Sequence, residues 1–339
     1  MGCSNSPPQK TEKKQKNFFR LKTKEIEKLR TEVSSKEEKL FLDAYQSAKS
    51  DADVEFRNFI FSQDIYFELL NILKTNENIE TLKWSNILFQ GSTDVLPQLY
   101  HILKGKKSLT RLELEYITNL GNKKGNALYR LSRELPNLSA VILKEIELEP
   151  EDAEFIGMLI AKSSENLTYF EVENIYFMEK TDYLLDGLNQ NNSIKELVLN
   201  RLGLTESNFD FLISSLVTNY CLTKLDVSHN PIGKGVESIK KYPLVHLTDL
   251  IMNSCNIKSN DFKLLCEGIE SNKELKVIEL NGNQIDNKPV SVKAIENFFK
   301  NNNTIQIFSI KNNMILREDV EKYLDEAVFE RLLIDDGRE

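Results

Sequence analysis

The stretch Leu222–Ile232, LTKLDVSHNPI, decides the fold of this chain. Its apolar residues stand at positions one, four, six and eleven of an eleven-residue pattern, and Asn230 stands at position nine. Eight further copies of the pattern open at Ile79, Leu109, Leu138, Leu167, Ile194, Leu247, Leu275 and Ile305. Consecutive copies start 25 to 30 residues apart, and a repeat of that length predicts a solenoid of stacked units.

Each copy predicts a short strand followed by a helix. Leu225 and Val227 alternate with polar residues, which is the pattern of a strand with one buried face. Beyond position eleven, most copies carry apolar residues at helical spacing, as at Leu96, Leu99 and Leu103. A single strand and helix cannot bury both apolar faces, so the units must stack and share one core.

These residues resemble a known family. The pattern with asparagine at position nine is similar to the leucine-rich repeat, and the length of the units resembles its ribonuclease-inhibitor class. The resemblance covers about Ile79 to Ile315. It implies an α/β solenoid shaped as a curved horseshoe, with a parallel sheet on the concave side and helices on the convex side. It implies little about which molecule the protein binds.

The chain is predicted to have four regions. Residues 1–16 are expected to form a flexible, lipidated basic arm, and residues 17–78 a helical segment, reaching to about residue 50, with an N-terminal cap after it. Residues 79–315 hold the nine repeats, and residues 316–339 are expected to form a C-terminal capping helix and tail. The four cysteines are too few and too widely spaced for a disulfide framework, which favours a reducing compartment.

The N-terminal arm carries the strongest localisation signal. Gly2 and Ser6 fit the N-myristoylation pattern, and Cys3 is placed for palmitoylation. Seven basic residues follow against Glu12 alone, giving this part of the chain a charge of +6 and the remainder −14; they are Lys10, Lys13, Lys14, Lys16, Arg20, Lys22 and Lys24. One acyl chain binds membranes only marginally, so the basic residues would supply a second attraction to an anionic leaflet. We therefore expect the cytosolic face of a membrane, and the plasma membrane in particular.

The residues between the lysines leave two interpretations open. Phe18, Phe19 and Leu21 could insert at the level of the lipid headgroups, or the two phenylalanines could pack on the helix that follows. The whole arm could also be a solvated tail whose match to the lipidation pattern is a coincidence.

Position nine divides the repeats into two classes. The first five copies have an apolar residue there, and the last four have Asn230, Cys255, Asn283 and Asn313. In the family, this polar residue satisfies backbone groups in the turn after the strand, because buried polar groups must be paired. Its replacement in Ile87, Ile117, Ile146, Ile175 and Leu202 predicts a more irregular connection in the N-terminal half.

Positions three, five and seven of each strand point away from the core, and position eight flanks them. In the second to fourth copies these positions hold a concentration of acidic and aromatic residues, with Arg111 and Lys144 as the opposing charges; the predicted partner-binding residues are Glu113, Glu115, Tyr116, Glu145, Tyr169, Glu171 and Glu173. Glutamates on neighbouring strands repel one another, which hints at a basic protein partner. The alternative is that solvated strands simply carry glutamate.

The sequence contains no catalytic or metal-binding signature. Its three histidines, His101, His229 and His246, have no metal-ligand spacing, and no nucleophile elbow or phosphate loop occurs. We expect no enzyme activity, no cofactor and no nucleic-acid binding, since the repeats lie in the acidic part of the chain. The favoured function is a lipid-anchored module that recruits a protein partner. The alternatives, implied only by the resemblance, are a GTPase-activating regulator of a small GTPase and an actin-filament regulator.

Overall fold

The computed structural model describes residues 36–91, 94–162 and 165–335. The predicted lipidation sites Gly2 and Cys3 lie outside these ranges, and so do the basic residues from Lys10 to Lys24. The predicted helix between residues 17 and 50 is described from α1 (Lys36–Ser50) onward.

One open parallel sheet runs through the described residues, and its strand order follows the chain order. The strands are β1 (Asp53–Ser62), β2 (Thr81–Gln90), β3 (Arg111–Thr118), β4 (Ala140–Ile146), β5 (Tyr169–Glu173), β6 (Glu196–Asn200), β7 (Lys224–Asp226), β8 (Asp249–Ile251), β9 (Val277–Glu279), β10 (Ile307–Ser309) and β11 (Leu332–Leu333). Because each strand is followed by a helical connection, the predicted α/β repeat solenoid with a parallel sheet is confirmed.

The helices cover one face of this sheet. They are α2 (Gln63–Thr75), α3 (Val95–Leu103), α4 (Lys124–Glu134), α5 (Asp152–Lys162), α6 (Thr181–Asp186), α7 (Glu206–Leu216), α8 (Glu237–Lys241), α9 (Ser259–Ile269), α10 (Pro289–Asn301), α11 (Arg317–Val320) and α12 (Glu326–Phe329). α3 buries Leu96, Leu99 and Leu103 on one side, as its sequence spacing requires. α7 begins at Thr205, whose hydroxyl accepts a hydrogen bond from the Asn208 amide.

A strand and a helix precede the first predicted repeat. β1 pairs with β2 in the register that relates true repeats, from Asp53 opposite Thr81 to Ser62 opposite Gln90. Its inward side chains include Phe56 and Phe61, which are fully buried, and α1 packs beside it. The sequence predicted only a cap here, because Asp51 occupies the position where a repeat normally has leucine.

The C-terminal end differs from the predicted capping helix. Two one-turn helices, α11 and α12, lead into β11, which extends the sheet by pairing Leu332 with Phe308. The array therefore ends on a two-residue strand, a short edge of the kind that resists pairing with other chains.

Strand length falls along the array, and the longest strands of the repeats have an apolar position nine. β2 to β4 have 10, 8 and 7 residues and contain Ile87, Ile117 and Ile146 at position nine, whereas β7 to β10 have three residues each. Ile87 pairs with Ile117, and Ile117 pairs with Ile146. The irregular connection expected for the five copies with an apolar position nine is therefore wrong for these three: the backbone continues the sheet, so main-chain hydrogen bonds replace those of an asparagine side chain. β5 and β6, which precede Ile175 and Leu202, end at position seven.

In the C-terminal half, the side chain at position nine performs the predicted role. Asn283 accepts hydrogen bonds from the amides of Cys255 (2.8 Å) and Ile257 (3.1 Å) and donates to the carbonyls of Met252 and Leu280, both at 2.9 Å. Asn230, two repeats earlier, makes the equivalent four bonds. We call this series, Asn230, Cys255, Asn283 and Asn313, the asparagine ladder.

A second series of buried amides lies at the other end of the strands, three residues before position one. Its asparagines, Asn76, Asn191, Asn219, Asn272 and Asn302, accept from the amides that enter their own strand and donate to carbonyls of the preceding unit. Lys106 occupies the same position in one unit and donates to the Asn76 carbonyl at 2.7 Å. Each bond removes a buried unpaired backbone group, which would otherwise cost about 1–3 kcal/mol.

Candidate functional site

The open face of the sheet is the side away from the helices, formed by positions three, five and seven of each strand. Positions four and six point the other way into the core, and Leu225 and Val227 are fully buried there. The open face corresponds to the concave surface that the sequence predicted, and it is the surface on which a partner would meet regular, rigid strands.

An ion-pair network occupies the open face from β2 to β6. Lys83 on β2 lies 2.6 Å from a Glu113 carboxylate oxygen and 3.3 Å from one of Glu115. Arg111 also hydrogen-bonds Glu113. Both glutamates belong to β3, so Lys83 joins two strands through positions that lie about 4.8 Å apart across the sheet.

Lys144 forms the centre of the network. Its ammonium nitrogen lies 2.8 Å from Glu171, 3.7 Å from Glu173 and 4.0 Å from Glu115, and so connects β3, β4 and β5. Arg201, just beyond β6, pairs with Glu173 at 3.0 Å. The network therefore fixes long side chains on neighbouring strands in one arrangement.

Tyr169 contacts two members of this network, Glu171 and Arg111. Its hydroxyl donates to Glu171 at 2.6 Å, and the Arg111 guanidinium lies 5.7 Å from the centre of its ring. Burial, together with the bond to Glu171, raises the pKa of Tyr169 above its ordinary value. Tyr169 thus stays a neutral hydrogen-bond donor over the physiological range.

Four of the five carboxylates of the predicted acidic patch are paired. Four glutamates of the network, Glu113, Glu115, Glu171 and Glu173, meet four cations, Lys83, Arg111, Lys144 and Arg201. From the sequence, Arg111 and Lys144 were predicted to be the charges that oppose these glutamates. Lys83 and Arg201 were missed because they belong to other copies, and placing the copies in strand register would have shown Lys83 opposite Glu113.

The pKa values reflect this pairing. Burial acts to raise the pKa of Glu113, but Lys83 and Arg111 outweigh it and hold that pKa below its usual range. Burial acts to lower the pKa of Lys83 and of Lys144, but the neighbouring glutamates outweigh it and raise both. All three groups are therefore charged at neutral pH, and the open face carries a fixed pattern of alternating charges.

Tyr116 and Glu145 stand apart from the network. Both occupy position eight, where the backbone turns out of the strand in the left-handed region, with φ of +53° and +45°. All ten strands from β1 to β10 share this feature; the residues are Asn58, Asn86, Tyr116, Glu145, Asn174, Arg201, His229, Ser254, Gly282 and Asn312. The Tyr116 and Glu145 side chains are both exposed, and neither takes part in the ion-pair network, whereas Arg201 at the same position does.

The open face of the C-terminal half has a different character. Asn253 donates to Glu279 at 3.0 Å and accepts from the Asn281 amide at 2.7 Å, and Asn281 accepts from Ser309 at 2.6 Å. Asn253 and Asn281 stand at position seven beside strands of three residues. Their side chains add to backbone bonds that continue beyond these strands, such as that from the Ser254 amide to the Asn281 carbonyl at 2.8 Å.

Residues with the chemistry of catalysis or metal binding are dispersed. Across the three described ranges, no group of three His, Cys, Asp or Glu side chains is arranged to hold a metal ion. Burial raises the pKa of the Cys255 thiol to about 12, so it is a protonated member of the asparagine ladder that donates to the Val227 carbonyl. No helix in those ranges has both the length and the apolar character needed to cross a bilayer.

Comparisons with known proteins yield distant relatives. No protein-family model matches the chain. It is 28% identical over 173 residues, 49% of the chain, to NACHT, LRR and PYD domains-containing protein 5 of Mus musculus. It is 22% identical over 227 residues, 62% of the chain, to NACHT, LRR and PYD domains-containing protein 4C of the same organism.

These matches cover 14% and 23% of the lengths of the two mouse proteins, so most of each relative lies outside the matched region. Both printed names include a leucine-rich repeat part. Together with the parallel strand and helix units, this weak similarity fits a leucine-rich-repeat-like protein.

Proposed function

We propose that the chain is a protein-interaction module of the ribonuclease-inhibitor-like repeat class, which binds a protein partner on its open face. The observation that supports this most directly is the ion-pair network around Lys144 on the open face, which none of the described helices covers. The sheet extends for about 48 Å at the usual strand spacing, and a width of about 17 Å gives it roughly 800 Å², the area that one partner contributes to a standard interface.

The charge balance determines which partner the surface would suit. A uniformly basic partner, which the glutamates alone predicted, would have to compete with Lys83 and Lys144 for the same carboxylates. A partner with both signs of charge would instead extend the existing alternation. We therefore propose that the open face recognises its partner by the pattern of charges. Such complementarity mainly increases the association rate and the specificity of binding.

Clefts on the helical side are less suited to this role. One of about 610 Å³ lies between α9 and α10, and one of about 560 Å³ lies beside α7 and α8. Both are lined by lysines and glutamates that face solvent, such as Lys263 and Glu267 in the first and Lys240 in the second.

The experiment is proximity labelling in cells with the full chain and with Lys144→Glu. Proteins that bind the open face should disappear from the labelled set of the variant, because the substitution places five carboxylates together. Lys293→Glu, an exposed residue on α10 with the same charge change, is the matched control and should leave the set intact. An unchanged set with Lys144→Glu would contradict binding through the open face. If a small GTPase partner exists, it would be among the proteins lost.

The N-terminal arm adds the proposed location. We propose that acyl groups on Gly2 and Cys3, with the basic residues after them, hold the module at the cytosolic face of a membrane; the sequence pattern is the support for this. Gly2→Ala should release the protein from the membrane fraction, and Cys3→Ser should weaken its retention. Gln9→Ala, in the same arm, should have no effect. Full membrane retention of Gly2→Ala would show that this anchor is absent.

A further inference from the structure

Four exposed side chains form what we call the strand-exit rim: Tyr116, Glu145, Tyr176 and Met178. Tyr116 and Glu145 leave the adjacent strands β3 and β4, and Tyr176 and Met178 follow β5. Tyr116, Tyr176 and Met178 expose 47%, 58% and 70% of their surface. Aromatic and methionine side chains of this kind are enriched in binding surfaces, so an exposed group of three is unusual for a solvated edge.

The backbone of the rim adds a second observation. Tyr116, Glu145 and Met178 all lie in the left-handed region, with φ of +53°, +45° and +51°. Five of the eight other strands place Asn or Gly at position eight, the residues that tolerate this conformation best; the remaining three have Arg201, His229 and Ser254. No hydrogen bond or ion pair joins the side chains of Tyr116 and Glu145 to another residue in the described ranges. The left-handed backbone is strained at these residues, and no hydrogen bond or ion pair of their side chains compensates for it. Such strain is typical of binding surfaces.

We propose that residues 17–24 of the same chain, NFFRLKTK, dock on the strand-exit rim. Phe18, Phe19 and Leu21 match the exposed apolar surface of Tyr116, Tyr176 and Met178. Arg20, Lys22 and Lys24 match the exposed carboxylates of Glu145 and Glu147 on β4 and the turn after it. The segment therefore complements the rim in both apolar character and charge.

The rim lies close enough to the start of α1 for residues 17–24 to reach it. α1 lies alongside α2, with the Tyr45 hydroxyl donating to Glu68 at 2.8 Å, and the C-terminal end of α1 leads directly into β1. The start of α1, at Lys36, is therefore at the edge where the strands end, which is also the edge of the rim. β3 to β5 lie about 10–20 Å from β1 at the usual strand spacing.

Eleven residues, 25–35, separate the proposed segment from Lys36. They span about 16 Å if helical and about 37 Å if extended, so β3 and β4 are within reach in both cases and β5 is within reach of the extended linker. The open face near β10 lies about 43 Å from β1 and is not. The proposal is independent of the partner on the open face and of acylation, although it uses basic residues that the proposed membrane contact also uses.

The experiment is photo-crosslinking in the full, unacylated chain with p-benzoylphenylalanine in place of Phe19. Benzophenone inserts readily at methionine, so the expected product is an intramolecular cross-link at monomer mass that maps to Met178, Tyr116 or Tyr176. The same group in place of Thr11 serves as the positional control and should give at most a third of that yield.

Rim variants test the contact itself. Glu145→Lys and Tyr176→Ser should each lower the cross-link yield at least threefold, whereas Tyr220→Ser, which changes an equally exposed tyrosine away from the rim, should not. Cross-links that map mainly outside the rim, or that appear only at dimer mass, would overturn the proposal. So would a yield that the rim variants leave unchanged.

Discussion

The two halves of the sheet satisfy the backbone hydrogen-bonding groups near position nine in different ways. From β2 to β4, an apolar position nine is accompanied by strands of 7 to 10 residues, and the backbone bonds itself across the sheet. From β7 to β10, strands of three residues end early, and the asparagine ladder bonds the freed backbone groups.

The difference also extends to the open face. Longer strands bring charged residues at positions three, five and seven into repeated register, which allows the network around Lys144. Shorter strands carry amides such as Asn253 and Asn281 at position seven, which bond each other. The N-terminal half therefore presents an ion-pair network, and the C-terminal half combines bonded amides with charged residues such as Asp226 and Glu279.

The largest effect is expected from Asn283→Leu. The substitution leaves four buried backbone groups unpaired, so the free energy of unfolding should fall by about 4 kcal/mol. Urea unfolding followed by circular dichroism measures it. Asn297→Leu, at an exposed site on α10, should stay within about 0.5 kcal/mol of the parent protein. A loss below about 1 kcal/mol for Asn283→Leu would mean that the ladder contributes little.

The reverse exchange tests the N-terminal half. Ile117→Asn should lower the free energy of unfolding by about 3 kcal/mol, because the backbone beside it is already paired and the new amide has no partner. Trp84, the single tryptophan, is fully buried on the neighbouring strand and reports unfolding of this half by fluorescence. Ile117→Val, which keeps the site apolar, should cost about 1 kcal/mol. If both variants behaved alike, polarity at position nine would not distinguish the halves.

A smaller, pH-dependent effect is expected from Glu113→Gln. The pKa of Glu113 lies below its ordinary value of 4.5, so its stabilisation is fully present above pH 4.5 and is lost as the pH falls through the lowered pKa. At pH 7 the variant should be less stable by about 1 kcal/mol, and the difference should shrink below pH 4.5. Glu145→Gln, outside the network, should change stability by less than about 0.5 kcal/mol at pH 7. A Glu113→Gln difference that stayed constant down to pH 3 would argue against the pairing.

The smallest effect concerns position eight. Tyr116→Asn should raise the free energy of unfolding by about 0.5–1 kcal/mol, because asparagine tolerates the left-handed backbone that tyrosine adopts there. Thermal unfolding would detect this as a small increase in the midpoint. The reciprocal change Asn86→Tyr should destabilise, since it also removes the bond from Asn86 to Asn58. A destabilised Tyr116→Asn would mean that the tyrosine makes a contact that outweighs the strain.

Sequence patterns predicted the buried half of this structure well. Positions one, four and six fall in the core in each repeat, and Asn230 and Cys255 were correctly assigned to buried backbone pairing. The preceding strand–helix unit was missed because Phe56, Phe59 and Phe61 follow the spacing without the opening leucine. The buried series with Asn191 and Lys106 was missed because its members precede the repeat pattern and read as loop residues.

The candidate site was predicted less completely. Glu113, Glu171 and Tyr169 do lie together on the open face, but their ion-pair partners include Lys83 and Arg201, 30 and 28 residues away from Glu113 and Glu173. Whether charges in different repeats meet depends on side-chain reach across the sheet, which spacing along one copy does not reveal. Position eight posed the same difficulty, because a tyrosine or glutamate there gives no sign of left-handed backbone.

The sequence by itself determined the repeating unit, its register and the division at position nine, because periodic burial of apolar residues is encoded within each copy. Only the tertiary structure decided where strands end, which charges pair and which side chains the strand-exit rim exposes. Those features arise between copies, where residues about one repeat apart in the chain are brought to within about 5 Å by strand pairing.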